Sequence, residues 1–156
     1  RDFYCVGGMG HASQIALGIA MQAGEMPVIC LDGDGAALMH LGHLAGISAA
    51  APPNLVHVIL NNRVHESVGG QPTVHPQADF AGLAKVLGYK NAIKISNKQE
   101  LEAVLKRHAQ DWKAGPSLWE LIVSPGSREN LARPQESPEE LKRQLMESLQ
   151  AGKLTE

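Results

Sequence analysis

Two apolar runs, Val28 to Asp32 and Leu55 to Leu60, each stop on a short polar signature: Gly33-Asp34-Gly35 after the first and Asn61-Asn62 after the second. A strand that is apolar on every residue rather than on alternate ones is covered on both faces, which calls for a parallel sheet with helices above and below. The rest of the chain follows that pattern. Residues 3–6 read as a short strand, and residues 7–10 (Gly-Gly-Met-Gly) as a tight turn. His11 to Ala23 reads as a helix closed by Gly24, and a small-residue helix runs from about Ala36 to Ala51 and stops at Pro52-Pro53. Residues 61–78 read as a long polar loop, of a length that in a compact domain carries function. Asp79 and Asn97 are candidate caps for helices reaching Leu87 and about Trp112. Ala92 to Ile95 and Ser117 to Val123 read as further strands. Residues 124–137 look irregular. A charged helix then runs from Pro138 to about Gln150, with Leu141, Leu145 and Leu149 on one stripe. The expected fold is therefore α/β: a doubly wound, mostly parallel sheet with helices on both faces, in a single domain over 1–156.

In such sheets ligands bind beyond the carboxyl ends of the strands. The glycine-rich and polar segments, at 7–10, 33–35, 61–73 and 124–133, all fall at those ends. The formal net charge of −2 and the lack of a basic run give no case for a nucleic-acid partner. No apolar stretch reaches membrane-spanning length. The two cysteines, Cys5 and Cys30, read as buried reduced thiols in strands, which suits a cytoplasmic protein. The chain opens on Arg1-Asp2 rather than Met and reads as part of something longer.

The two signatures have a shared chemical meaning. Asp34 offers a hard anionic oxygen and Asn62 a neutral carbonyl oxygen. Gly33 and Gly35 let the backbone approach a ligand, and the helix that follows, from about Ala36, presents unpaired N–H groups. Mg²⁺ prefers six oxygens at ~2.0–2.1 Å, of which only one or two come from carboxylates. An Asp, an Asn and a backbone carbonyl, completed by phosphate oxygens and water, meet that demand. Asp-Gly and Asn-Asn are each common turns when met alone. It is their joint placement after two buried strands that carries the reading.

Gly33-Asp34-Gly35 followed by Asn61-Asn62 resembles the diphosphate-binding domain of thiamine-diphosphate (ThDP) enzymes. The flanking segments, GGMGHAS at 7–13, GDGAALMHLG at 33–42, NNRVHESVGGQPT at 61–73 and GSRENLARP at 126–134, resemble those of phosphonopyruvate decarboxylases, with sulfopyruvate decarboxylases close behind. The resemblance implies ThDP and Mg²⁺ as cofactors, with the metal on Asp34, Asn62 and the Val64 carbonyl. It implies cofactor contacts at Gly8, Met9, Gly33, Gly35, Ala36 and Ser67. For catalysis it points to His65, as proton donor or anion ligand, and for a substrate phosphonate to Gln71, Thr73, Arg128 and Arg133. Arg63 departs from the pattern, since a small residue, usually Gly, is expected there.

ThDP enzymes also use a pyrimidine-binding domain carrying a cofactor-activating glutamate. The resemblance therefore implies a partner subunit (an alpha-type chain) that supplies it, in an α2β2 or higher oligomer acting on a small 2-oxo acid. Two further readings stay open: a non-catalytic subunit that holds ThDP or stabilises a partner, and a dinucleotide-binding oxidoreductase domain. The last is disfavoured because Ser13 stands where the third glycine of the fingerprint belongs. His40, His43 and His57 read as packing or helix-end residues rather than ligands.

Overall fold

The computed structural model describes residues 2–132 and 134–153. Residues Gly10–Gly126 form one compact unit, and residues 2–9 together with 127–153 form another. In the larger unit the chain runs α1 (Ala12–Gln22), β1 (Val28–Gly33), α2 (Asp34–Met39), α3 (His43–Ala50), β2 (Leu55–Asn61), β3 (Val64–His65), β4 (Gln71–Pro72), α4 (Phe80–Leu87), β5 (Asn91–Ile95), α5 (Lys98–Gln110) and β6 (Ser117–Ile122). A parallel four-stranded sheet in the order β1-β2-β6-β5 forms its centre, and β3 and β4 make a separate antiparallel pair.

The two faces of the sheet are unequally covered. On one, Ala16, Leu17 and Ala20 of α1, Leu44 and Ile47 of α3, and Phe80 and Ala84 of α4 pack with Leu55, Ile59 and Leu118 of the strands. On the other, Val104 and Leu101 of α5 pack with Val56, Val58, Trp119 and Ile95. Each fully buried aliphatic or aromatic side chain here contributes about 1.5–3 kcal/mol. The uncovered part of the second face is at β1, where Ile29 and Leu31 stay 59% and 66% exposed while Cys30 and Asp32, pointing the other way, are buried. At the amino end of the sheet the buried Asn54 amide is shared among the carbonyls of Ala20, Gly24 and Met26, at 2.9–3.2 Å, and closes the end of α1 against β2.

The structure corrects the sequence reading at four places. Residues 3–6 carry no strand, because an apolar segment becomes one only where a neighbour takes its N–H and C=O groups. Cys5 is therefore not a strand residue; its half-buried thiol donates to the Gly8 carbonyl. The helix expected over 36–51 is two helices that begin two residues earlier, at Asp34, and break at 40–42, where His40 leaves the helical region (φ −136°, ψ 53°). The loop at 61–78 contains the β3–β4 hairpin with a 3-10 turn at Glu66–Val68 between the strands. The remaining elements stand within two or three residues of expectation. Asp79 and Asn97 cap α4 and α5 by accepting from the Gly82 and Glu100 N–H groups, at 3.1 and 2.9 Å. In the smaller unit α6 spans Pro138–Lys153, with Leu141 buried and Leu145 and Leu149 half-buried on its stripe.

Candidate active site

The carboxyl ends of β1 and β2 bring the two polar signatures together. Asp34, the first residue of α2, is 3% exposed, and its Oδ2 accepts the Arg63 N–H at 3.1 Å. That single bond, across 29 positions of sequence, joins the Gly-Asp-Gly tip to the turn after Asn61-Asn62. The backbone at Arg63 is left-handed, with φ 67°. A glycine there would carry no steric penalty, which accounts physically for the small residue the sequence pattern leads one to expect.

Asn62 is held on both sides of its amide. Its Nδ2 donates to Glu66 Oε2 at 3.0 Å and its Oδ1 accepts the Val64 N–H at 3.1 Å. Val64 lies opposite Pro72 in the hairpin. Because the Thr73 N–H donates to the Arg63 carbonyl, 63 and 73 are the hydrogen-bonded pair and 64 and 72 the non-bonded one. Val64 therefore turns both its N–H and its carbonyl away from β4, and Pro72 sits where no ladder donor is required. The N–H goes to Asn62, and the carbonyl is left on the same side of the strand. A carboxylate, a carboxamide oxygen and a backbone carbonyl thus gather around one short turn. That donor set suits a hard divalent cation such as Mg²⁺.

Gly35 supplies a second measure of fit. A Cβ built on it would meet the His65 ring at 2.5 Å, so the ring lies directly over the glycine at the start of α2. Gly33 is exposed and Ala36 buried beside it. Ser67 and Gln71 are exposed on the hairpin turn and its return strand. Thr73 is buried, and its Oγ1 has no hydrogen-bond partner among the described residues. Gly8 and Met9 belong to the smaller unit, where a Cβ on Gly8 would collide with Cys5 Sγ at 2.6 Å. Arg128 is exposed in that same unit, and Arg133 lies outside the described residues.

Two features of the site escape a reading of sequence alone. The first is Glu120 in β6, fully buried at 0% exposure. Its Oε1 accepts from Asn61 Nδ2 at 2.8 Å and its Oε2 from the Ala81 N–H at 3.0 Å, with Lys94 Nζ 3.4 Å away. The residue was hidden in an apolar strand, but a lone carboxylate at a core-facing position of such a strand is itself a signal of a buried polar anchor. The second is a stack of imidazoles. The rings of His11 and His40 lie 4.3 Å apart and those of His40 and His43 5.0 Å apart, the latter nearly parallel. Burial and the neighbouring His40 hold His43 below the usual histidine range. His57, inside β2, faces Asp32 Oδ2 at 3.4 Å and is a core residue as expected. No group of three or more His, Cys, Asp or Glu among the described residues is arranged to hold a metal by itself. The donor set at the Asn62 turn has only one carboxylate and does not belong to that class.

Residues 2–121 match the family model of the thiamine pyrophosphate enzyme C-terminal TPP-binding domain. The chain is 41% identical over 144 residues to phosphonopyruvate decarboxylase of Streptomyces viridochromogenes, an alignment covering 92% of this chain and 35% of that one. It is 39% identical to sulfopyruvate decarboxylase subunit beta of Methanothermobacter thermautotrophicus, over 81% of this chain and 64% of that one. To the corresponding subunit of Methanocaldococcus jannaschii it is 33% identical, over 96% and 77%. The chain thus spans about a third of the phosphonopyruvate decarboxylases that it matches. Among solved structures, the ThDP-dependent 4-hydroxybenzoylformate decarboxylase of Rhodococcus jostii RHA1 shares the fold with a TM-score of 0.62 at 22% identity, over 78% of this chain and 24% of that one. With the parallel sheet, the paired signatures at its carboxyl ends and the family match across residues 2–121, this chain belongs to the thiamine pyrophosphate enzymes and comprises their C-terminal TPP-binding domain.

Proposed function

We propose that this chain is the cofactor-binding part of a ThDP-dependent 2-oxo acid decarboxylase that converts 3-phosphonopyruvate to phosphonoacetaldehyde and CO2. The observation that carries the reading is the bond from the Arg63 N–H to Asp34, which sets a buried carboxylate beside Asn62 and Val64. In this proposal Asp34, the Asn62 oxygen and the Val64 carbonyl hold Mg²⁺. Gly33, Gly35 and Ala36 admit the diphosphate against the unpaired N–H groups of the first turn of α2. Gly8, Met9 and Ser67 complete the cofactor contacts. ThDP, when bound, supplies the electron sink that a 2-oxo acid needs in order to lose CO2.

In this reading His65, whose ring lies over Gly35, binds an anion or holds a proton at its ring nitrogens. Thr73, with its unpartnered buried hydroxyl, and Gln71 are donors for the substrate's terminal anion. Arg128 and Arg133 are assigned the same task, since a guanidinium fork matches paired phosphonate oxygens. The activating glutamate comes from a pyrimidine-binding partner in an α2β2 or higher assembly. That arrangement is supported by likeness to proteins named as a beta subunit. No helix among the described residues is long and apolar enough to cross a membrane, and the proposed setting is the cytoplasm.

A second reading, sulfopyruvate decarboxylase subunit beta, is favoured by the M. jannaschii subunit, of which this chain covers 77%. The two readings differ in the terminal anion of the substrate. Steady-state assays of the chain with its partner, on both acids, separate them. A kcat/KM for phosphonopyruvate at least about tenfold above that for sulfopyruvate, equivalent to ~1.4 kcal/mol of transition-state discrimination, is expected. Equal values or the reverse order would replace the first reading by the second. Absence of turnover with tight ThDP binding would reduce the chain to a non-catalytic cofactor holder.

A further inference from the structure

Glu66 opens the 3-10 turn between β3 and β4. Glu66 is exposed, yet both of its oxygens are engaged. Oε2 accepts from Asn62 Nδ2 at 3.0 Å, and Oε1 accepts the N–H of Gly126, just past the end of β6. A terminal carboxamide has two orientations related by a flip, and its neighbours decide between them. An ionised carboxylate can only accept, so it must face the amide nitrogen. A backbone N–H can only donate, so the Val64 N–H must face the amide oxygen. The two neighbours agree, and together they turn the Asn62 oxygen to the side on which Val64 presents its carbonyl. Without Glu66 only one weak preference remains, and the turn loses its tie to the segment after β6.

We propose that Glu66 is the positioning residue of the cation seat: its carboxylate, bridging Asn62 Nδ2 and the Gly126 N–H, fixes the Asn62 amide with its oxygen toward the metal and holds the hairpin over the carboxyl ends of the sheet. This rests on the assignment of Asp34, Asn62 and Val64 as ligands. In this proposal Glu66 is not itself a ligand. It acts as outer partners of metal ligands generally do, by orienting a ligand, and loss of such a partner typically costs 10–100-fold in metal affinity.

The test uses the full chain together with its pyrimidine-binding partner. Mg²⁺ affinity at saturating ThDP is measured by calorimetry, and Mn²⁺ in place of Mg²⁺ gives a spectroscopic view of the ligand sphere. Glu66→Ala is expected to weaken Mg²⁺ by roughly 10–100-fold and to broaden the Mn²⁺ signal, while the cofactor-free thermal midpoint stays put. Glu66→Gln has one acceptor oxygen for two donors, and its own amide N–H can meet either face of Asn62, so it is expected to recover only part of the affinity. In the Asn62→Ala background, removing Glu66 is expected to cost far less, because only the Gly126 tether is left to lose.

Wild-type affinity in Glu66→Ala overturns the proposal. So does an undiminished loss in the Asn62→Ala background, which would mean that Glu66 acts through the Gly126 tether alone. Asp34→Asn, run in parallel, keeps the two claims apart. If that variant also binds Mg²⁺ normally, the ligand assignment itself has failed. If it does not bind while Glu66→Ala does, only the role of Glu66 has failed.

Discussion

Asn61 ends β2 and Asn62 follows it, and two glutamates hold these neighbours in opposite ways. Asn61 is buried and donates inward to Glu120, a β6 residue at 0% exposure that also accepts the Ala81 N–H in the first turn of α4. Asn62 is half-buried and donates outward to the exposed Glu66. The same pair of side-chain types, one residue apart, thus does two jobs. In a low-dielectric interior a carboxylate must be fully satisfied or it is costly, so Glu120 with its three partners specifies how β2, β5, β6 and α4 come together. At the surface, water competes for every hydrogen bond, so Glu66 adds little to stability and is free to serve geometry instead. One region holds the strand tip where it is, and the other aims what the tip carries.

The inward-facing glutamate is the more costly of the two to lose. Glu120→Ala leaves the Asn61 amide and the Ala81 N–H without their acceptor and strands Lys94 beside Asp79 alone. Breaking a buried, hydrogen-bonded charge network in this way costs about 3–5 kcal/mol. For a domain of this size that is roughly 6–20 °C in the unfolding midpoint. Glu66→Ala, by contrast, is expected to stay within about 0.5 kcal/mol of the parent. Thermal and denaturant unfolding of the two variants side by side give the answer. Equal losses would mean that both glutamates are structural and that the distinction between them is empty.

The next effect separates fold from ligand at Asp34. Asp34→Asn keeps an oxygen for the Arg63 N–H but removes the charge that a divalent cation needs. The expected outcome is a loss of at least about 100-fold in Mg²⁺-dependent ThDP binding, close to 2.8 kcal/mol. The unfolding midpoint of the cofactor-free protein is expected to be unchanged or slightly raised, because a buried charge has become neutral. Titration calorimetry of ThDP with and without Mg²⁺ checks the first part and calorimetric unfolding the second. A variant that binds as tightly as the parent would remove Asp34 from the seat.

How much of this was legible in the chain depends on how local the signal is. β1 and β2 announce themselves as near-continuous apolar runs, although only β2 is covered on both faces and Ile29 and Leu31 of β1 stay exposed. The caps at Asp79 and Asn97 are legible because a cap is a contact over three residues. The meeting of Asp34 with the Asn62 turn could be inferred only from two motifs at strand tips, and the structure supplies the Arg63 bond that makes it physical. The break at 40–42 was invisible, since a run of small residues continues helically unless something turns it. Here His40 stacks against His11 and His43, positions far from one another or on the next helix. The hairpin was invisible for a different reason: strands of two residues have no period to read. Glu120 and Glu66 were passed over because one lay in an apolar strand and the other in a polar loop. What each does is decided by partners up to 60 positions away.

Arg63, in the turn that carries Asn62, has a smaller influence on stability. Its side chain is exposed, while its backbone is pinned on both sides, the N–H by Asp34 and the carbonyl by the Thr73 N–H, in a left-handed conformation at φ 67°. An L-residue in that region is strained by roughly 1–2 kcal/mol, and glycine is not. Glycine in turn loses more freedom on folding, by about 0.4–1 kcal/mol, which offsets part of the gain. Arg63→Gly is therefore expected to stabilise the cofactor-free chain by up to about 1 kcal/mol, or 2–4 °C. Arg63→Ala separates the causes. It deletes the positive charge but keeps the strained backbone, so its midpoint should stay with the parent. If alanine and glycine raise the midpoint equally, the side chain's charge and not its backbone was the burden.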